Sequence, residues 1–403
     1  MTAPQQQFSR RAVLGTAAAG VAAGLGAGLT GGRALAVDGA APALGTQQYA
    51  FHGPHQAGIV EPQQAKVQLA AFDLAPTAGR QGLRELMRHW SAAAERLTRG
   101  EAIPGSEDFV AADAGPCALT VTFGFGASLF DRTGLTASRP AALTPLPAFP
   151  EDALDPARSD GDLWVQIGAD DALVVFHAHR ALLRAAAGLA TQRWQMSGFS
   201  RSPGATAKPL TTRNLMGQLD GTNNPRPGAK DFDGKVFATG PDWFAGGSYL
   251  VQRRIRMLLD NWDNLPTDRQ ERVIGRRKQD GAPLSGGTEH TPADLTAQHP
   301  DGTLAIPADA HIRIAAPAAN GGAAMLRRGF SYADGTGPDG RPDAGLLFLA
   351  FQADPAHGFV PVQRRLARGD SLSRFLRHEA SGLYAVPPGA PEGGYVGQQL
   401  LEG

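Results

Sequence analysis

One cysteine, Cys117, stands in 403 residues. A lone cysteine rules out an intramolecular disulfide and any zinc or iron–sulfur site built on cysteines. A metal would have to be held by histidine, by carboxylates or inside a cofactor. Charge of one sign is also missing, since Lys plus Arg and Asp plus Glu both number 38. No nucleic-acid partner is expected from that balance. Beyond the first 32 residues there is no apolar run long enough for a membrane helix.

The N-terminus carries an address. Ser9-Arg10-Arg11 precedes an uncharged Ala/Gly/Leu run from Ala12 to Gly32, and Ala34-Leu35-Ala36 fits an A-x-A cleavage site. The run is richer in Ala and Gly than in Leu and Ile, so it suits a bilayer poorly. Residues 1–36 read as a twin-arginine (Tat) export signal with no stable membrane anchor. Export by that route delivers folded protein outside the cytoplasm, to a periplasm, a cell-wall face or the medium. Residues 37–48 are small and polar and read as a flexible mature N-terminus.

From Tyr49 onward strands and helices mix. Val67–Leu74, Ala118–Phe125 and Leu163–Gly168 read as strands, with Cys117 a buried small hydrophobe at the head of the second. Gly79–Arg99 places Leu83, Leu86, Met87, Trp90, Ala94 and Leu97 at helical spacing. Residues 170–189 read as a strand or helix start leading into a helix. His177 and His179 lie at that junction. The second half repeats the pattern. Tyr249–Leu259 reads as strand or helix, His311–Ala315, Arg328–Tyr332 and Gly345–Gln352 are the strand candidates, and Arg364–His378 is the helix, with His378 at its end. Residues 136–160 and 278–307 are rich in Pro and Gly and read as surface loops. The result is an α+β chain in which each half offers strands and one or two long helices, a duplicated unit with helices packed on antiparallel sheets.

Three stretches carry chemistry. Gly217-Gln218-Leu219-Asp220-Gly221-Thr222-Asn223-Asn224-Pro225 holds a carboxylate on a turn. Asp220 is either a turn former or a group aimed at something. His311 follows the loop Ile306–Ala310, where it is either a structural histidine or one with a ring nitrogen pointing inward. Arg327 and Arg328 are adjacent, so in a strand they point to opposite faces, one toward solvent and one inward. An inward arginine needs an anion, and Asp220 or a cofactor carboxylate would serve.

These blocks, in the order Gly-Gln-Leu-Asp-Gly-Thr-Asn-Asn-Pro, His-Ile-Arg-Ile-Ala, Met-Leu-Arg-Arg-Gly-Phe-Ser-Tyr and Gly-Leu-Leu-Phe-Leu-Ala-Phe-Gln, resemble the dye-decolorising peroxidase family of haem proteins. Phe51-His52-Gly53-Pro54-His55-Gln56-Ala57-Gly58-Ile59 is similar to the mature start of its exported, Tat-dependent bacterial branch. The likeness runs from about Tyr49 to about Val386. Gln218-Leu219 departs from the Phe-Lys of many relatives. The resemblance implies two ferredoxin-like domains, 49–215 and 216–403, with haem b in the second. It implies His311 as the proximal iron ligand, Asp220 as the distal acid–base, Arg327 as the distal arginine and a further cofactor contact, and Gly221 and Thr222 beside the cofactor.

Asp370, in Arg368-Gly369-Asp370-Ser371, stands where relatives carry an acid. It is either the partner of the proximal histidine or an N-cap of the next turn. The implied reaction reduces hydrogen peroxide and oxidises organic reductants such as dyes or phenols by one-electron steps. Exported relatives include a second kind, deferrochelatase-like haem-binding proteins of iron uptake. Trp262, Tyr384 and Tyr395 are either electron relays to the surface or packing residues. Oligomeric state is not legible in the sequence.

Overall fold

A computed structural model describes residues 45–105, 108–207, 209–240 and 243–403. Residues 1–36, expected as a Tat signal, and residues 37–44 lie outside the described residues. The strands are β1 (Lys66–Leu74), β2 (Thr120–Gly126), β3 (Leu163–Ala169), β4 (Ala190–Phe199), β5 (Ser248–Met257), β6 (Leu326–Arg327), β7 (Phe330–Thr336), β8 (Pro342–Gln352) and β9 (Leu376–Val386). They run in the order β5-β9-β2-β3-β1-β4-β7-β8-β6, and β5 also pairs with β8.

Two antiparallel four-stranded sheets lie within that order, β4-β1-β3-β2 and β9-β5-β8-β7. In each, the first strand of the half sits beside the last and the third. The first and second strands of a half are separated in sequence by helix or by long loop-and-helix segments, as are the third and fourth. This is the ferredoxin-like arrangement, made twice. The two sheets join at narrow seams. Phe125 and Gly126 pair with Ala385 and Tyr384, and Phe199 pairs with Ser331.

β1, β2, β3 and β5 are covered on both faces, which is why they read as nearly continuous apolar runs, whereas β4 exposes Thr191, Arg193, Gln195 and Ser197. On β1, Val67, Leu69 and Ala71 enter the core shared with Leu347, Leu349 and Phe351 of β8. Ala70, Phe72 and Leu74, on the other face, pack on Leu83, Leu86, Met87 and Trp90 of the helix Gly79–Thr98. The alternation has period two, so one strand feeds two cores. A third cluster, Met216, Met257, Trp262, Ile274 and Leu372, lies beneath the chemistry-bearing loops.

Several local expectations change. His311–Ala315 is not a strand: His311–Ile314 forms one helical turn. Five residues are too few for periodicity to separate the two. Here the amides of Arg313 and Ile314 both bond to Ala310 O. Ile312 packs against Gly275, where an added Cβ would meet it at 2.7 Å. The C-terminal helix spans Phe359–Gly369 rather than 364–378. Asp370 starts a new 3₁₀ turn, Ser371–Phe375, and β9 follows. His378 is therefore a buried strand residue, not a helix terminus.

His177 and His179 both lie within the helix Ala172–Ala185. Cys117 is buried, but it sits in a left-handed turn with φ 47° ahead of β2, and its thiol donates to Ala114 O. Trp262, Tyr384 and Tyr395 are all buried, which fits packing rather than a surface terminus. Among the described residues no helix is long and apolar enough to cross a membrane.

Candidate active site

Asp220 sits at the end of a tightly wound loop. Its amide bonds to Thr212 O at 2.9 Å, and Arg213 and Leu219 form an isolated antiparallel bridge. Gly217 and Gly221 take φ values of 79° and 112°, which side chains resist. Arg213, the nearest basic residue before Asp220, does not neutralise it. Its guanidinium donates instead to the carbonyls of Gly217, Lys278 and Gln279.

The neutralising cation comes from β6. Arg327 Nη1 donates to Asp220 Oδ1 at 3.0 Å, while Asn214 Nδ2 donates to Oδ2 at 3.4 Å. Asn224 fastens the arginine from behind: its Nδ2 donates to Arg327 O at 2.7 Å, and its Oδ1 accepts from Arg327 N at 3.3 Å. Asp220, Gly221, Asn224 and Arg327 line a cleft, with Gln63 and Phe199 among its other walls. Gly221 has open space where a Cβ would lie, apart from the Asn224 amide at 3.7 Å. Thr222 turns away, and its hydroxyl donates to Glu289 Oε1 at 2.9 Å.

Arg328, on the opposite face from Arg327, does not reach solvent as the alternation predicts. It is buried, and donates to Glu61 O, to Pro62 O at 3.2 Å and to Gln64 Oε1. The Arg328 side is internal because Glu61, Pro62 and Gln64 of the N-terminal segment cover it, while Arg327 stays half-buried on the cleft. Burial pulls the Arg328 guanidinium down to about 10, still charged at neutral pH.

His311 and Asp370 form a second pair. His311 Nδ1 lies 2.7 Å from Asp370 Oδ2. The other carboxylate oxygen, Oδ1, accepts from Leu372 N at 2.9 Å. Both readings of Asp370 therefore hold at once: one oxygen caps the turn, and the other holds the histidine. Burial disfavours the charged imidazolium, but the Asp370 charge and hydrogen bond outweigh it and raise the His311 pKa. The Arg327 charge opposes that rise and the Asp220 charge adds to it.

Sequence reasoning missed Asn214, Asn224, Glu289 and Arg276. Glu289 Oε1 accepts from Thr211 and Thr222, while Glu289 O accepts from Arg276 Nη1 at 2.8 Å. The half-buried Arg276 guanidinium is pulled down by desolvation, supported by Glu289 and opposed by Arg327. Asparagines near turns are too common for sequence to single these out.

Two family models match the chain: Dyp-type peroxidase, N-terminal, over residues 56–200, and Dyp-type peroxidase, C-terminal, over 211–391. The chain belongs to the Dyp-type peroxidase family. It is 45% identical over 361 residues to a dye-decolorizing peroxidase of Thermobifida fusca, covering 86% of this chain and 84% of that one. Solved structures of a DyP-type peroxidase from Streptomyces coelicolor and of ferric DtpA from Streptomyces lividans share 62% identity, with TM-scores of 0.88 and 0.87. Each match covers 89% of this chain and 98% of the other. A deferrochelatase of Yersinia pestis bv. Antiqua is 37% identical over 88% of this chain and 85% of its own.

The side chains fit the haem that Dyp-type peroxidases bind. With Nδ1 held by Asp370, the other ring nitrogen of His311 has no hydrogen-bond partner among the described residues. That is the donor an axial iron ligand needs.

Proposed function

We propose that this protein is an exported haem b peroxidase that reduces hydrogen peroxide and oxidises organic reductants, dyes or phenols among them, one electron at a time. The observation that carries the reading is the Asp220–Arg327 pair lining the cleft, and a histidine held by a carboxylate at His311–Asp370 supports it. Residues 1–36 serve as the Tat signal, 37–48 as the mature N-terminus, 49–215 as the N-terminal domain and 216–403 as the haem-binding domain. Gly221 gives close backbone approach to the bound group. Thr222 acts through Glu289.

Bound haem supplies the iron at which the peroxide O–O bond breaks and from which oxidising equivalents pass to the reductant. His311 offers the ring nitrogen not held by Asp370. Asp370 accepts the Nδ1 proton, which fixes the tautomer, orients the ring and raises its basicity. Asp220 would take the proton from one peroxide oxygen and return it to the other, base first and acid second. Arg327 stabilises the negative charge that builds on the departing oxygen and balances the Asp220 carboxylate meanwhile. Asn224 holds Arg327 through its backbone, so the guanidinium needs little reorganisation at the moment of reaction.

The deferrochelatase relatives support a second reading, a protein that removes iron from haem. The completed Asp220–Arg327 pair favours peroxide turnover, since carrying haem needs no distal acid–base. Haem-loaded protein mixed with peroxide and a panel of dyes and phenols tests the assignment. Peroxide-dependent oxidation of the panel is expected; accumulation of iron-free porphyrin with no such oxidation would favour the second reading.

A further inference from the structure

Asp220 has two oxygens, and only one of them is held by Arg327. The other, Oδ2, is held by Asn214 Nδ2 at 3.4 Å. That amide is not free to choose its direction. Asn214 Oδ1 accepts two backbone amides of its own loop, Met216 N at 3.0 Å and Gln218 N at 3.3 Å. Turning the amide over would set its NH₂ against two N–H donors and its oxygen against a carboxylate oxygen. The backbone of the same residue is tied twice more, its amide to Gln218 O and its carbonyl to Gly217 N, each at 3.0 Å. Asn214 also lines the cleft that Asp220 and Arg327 share. An asparagine locked in this way presents a fixed donor six residues ahead of the carboxylate it touches.

We propose that Asn214 is a positioning residue for Asp220: its amide, oriented by the turn Asn214–Gln218, fixes the carboxylate so that Oδ2 presents to peroxide in one direction. This rests on the reading of Asp220 as the acid–base. Without Asn214 the carboxylate keeps its Arg327 contact but gains freedom to turn about it. Proton transfer depends steeply on that alignment. Neighbouring residues do not substitute, because the amides of Met216 and Gln218 are already spent on Asn214 itself.

The test is a double-mutant cycle on the haem-loaded protein with Asn214→Ala, Asp220→Asn and the pair together. Two quantities are read: the second-order rate constant with peroxide, and the equilibrium Kd for cyanide followed by the haem absorption band. Cyanide enters as HCN and must surrender a proton, so its affinity reports the distal base without turnover. Asn214→Ala is expected to lower the peroxide rate constant and weaken cyanide about tenfold, the scale of a lost hydrogen bond to a charged group. In the Asp220→Asn background the same substitution should change either quantity less than twofold.

Asn214→Asp keeps the acceptor for Met216 N and Gln218 N and sets a second carboxylate against Oδ2. It therefore separates turn from donor, and should slow peroxide at least as much as Asn214→Ala. An equal loss from Asn214→Ala in both backgrounds, or wild-type behaviour of Asn214→Asp, would overturn the proposal and leave Asn214 a turn residue. If Asp220→Asn is slow while Asn214→Ala reacts at the wild-type rate, this inference alone fails. If Asp220→Asn itself reacts at the wild-type rate, the acid–base reading fails with it.

Discussion

Arg327 and Asp220 are 107 residues apart in sequence and meet through a 3.0 Å hydrogen bond between Nη1 and Oδ1. The bond joins a two-residue strand to a glycine-wound loop, and Asn224 clamps the strand's backbone to that loop. Removing the cation alone should leave the loop intact and the chemistry damaged. Arg327→Leu is expected to slow the peroxide-induced absorbance change about 10²–10³-fold, the usual loss for a donor aimed at developing charge. Stopped-flow mixing measures it, and a wild-type rate would take Arg327 out of the mechanism.

The adjacent arginine should behave in the opposite way. Arg328 is buried and satisfies Glu61 O, Pro62 O and Gln64 Oε1. Arg328→Ala strands those acceptors and opens a cavity, with an expected loss of about 3 kcal/mol. Urea unfolding should show that loss, while the peroxide rate of the folded fraction stays within about threefold. Equal damage to rate in both arginine variants would contradict the division of labour between the two faces.

Haem retention tests the other pair. His311→Ala should lose the haem or change its absorption spectrum. Unchanged haem content and spectrum would remove His311 as the ligand. Asp370→Asn keeps an oxygen for Leu372 N but cannot accept as a carboxylate from His311. Its haem affinity should fall about 10–100-fold, as when the outer partner of a metal-bound histidine is lost. Asp370→Ser, which can still cap the turn, should lose as much; full affinity in the serine variant would mean the cap is all that Asp370 contributes.

Acid sensitivity should trace in part to His378. Burial, and then the Arg253 charge, push its pKa down to about 3 from the ordinary 6.5. Arg253 is in turn paired with Asp152, whose carboxyl is raised by burial. The unfolded chain takes up the His378 proton at a pH where the folded chain does not. Stability is therefore fully present above about pH 6.5 and is lost as pH falls toward 3, by at most about 1.4 kcal/mol per pH unit from this group. His378→Gln should flatten the pH dependence of the urea midpoint between pH 6.5 and 4. An unchanged slope would rule His378 out as a source of acid sensitivity.

Export is tested by the twin arginines. Replacing Arg10 and Arg11 together with Lys should hold the chain inside the cytoplasm, read by fractionation of cells producing the full chain. Undiminished export would exclude the Tat reading.

Much of this protein could be read before any coordinates. The helix Gly79–Thr98 and the strands β1, β3 and β8 were legible because their apolar periods are long and buried on known faces, whereas β5 read as strand or helix. The order of the Asp220, His311 and Arg327 blocks was enough to recognise the family. Short or interrupted elements were not legible. His311–Ile314 alternates like a strand over too few residues, and Gly369-Asp370 breaks what looked like one helix.

Sequence alone determined the family, the long apolar elements and the exclusion of cysteine chemistry, and it named Asp220, His311 and Arg327 as candidates. Tertiary structure decided their partners. Asp220 could be weighed only as a turn or an aimed group until Arg327 reached it from β6. Asp370 could be a cap or a histidine's partner until two carboxylate oxygens were found serving both. The reason is physical: local sequence sets backbone conformation over a few residues, whereas a hydrogen bond between side chains 59 or 107 residues apart exists only after the sheets have closed.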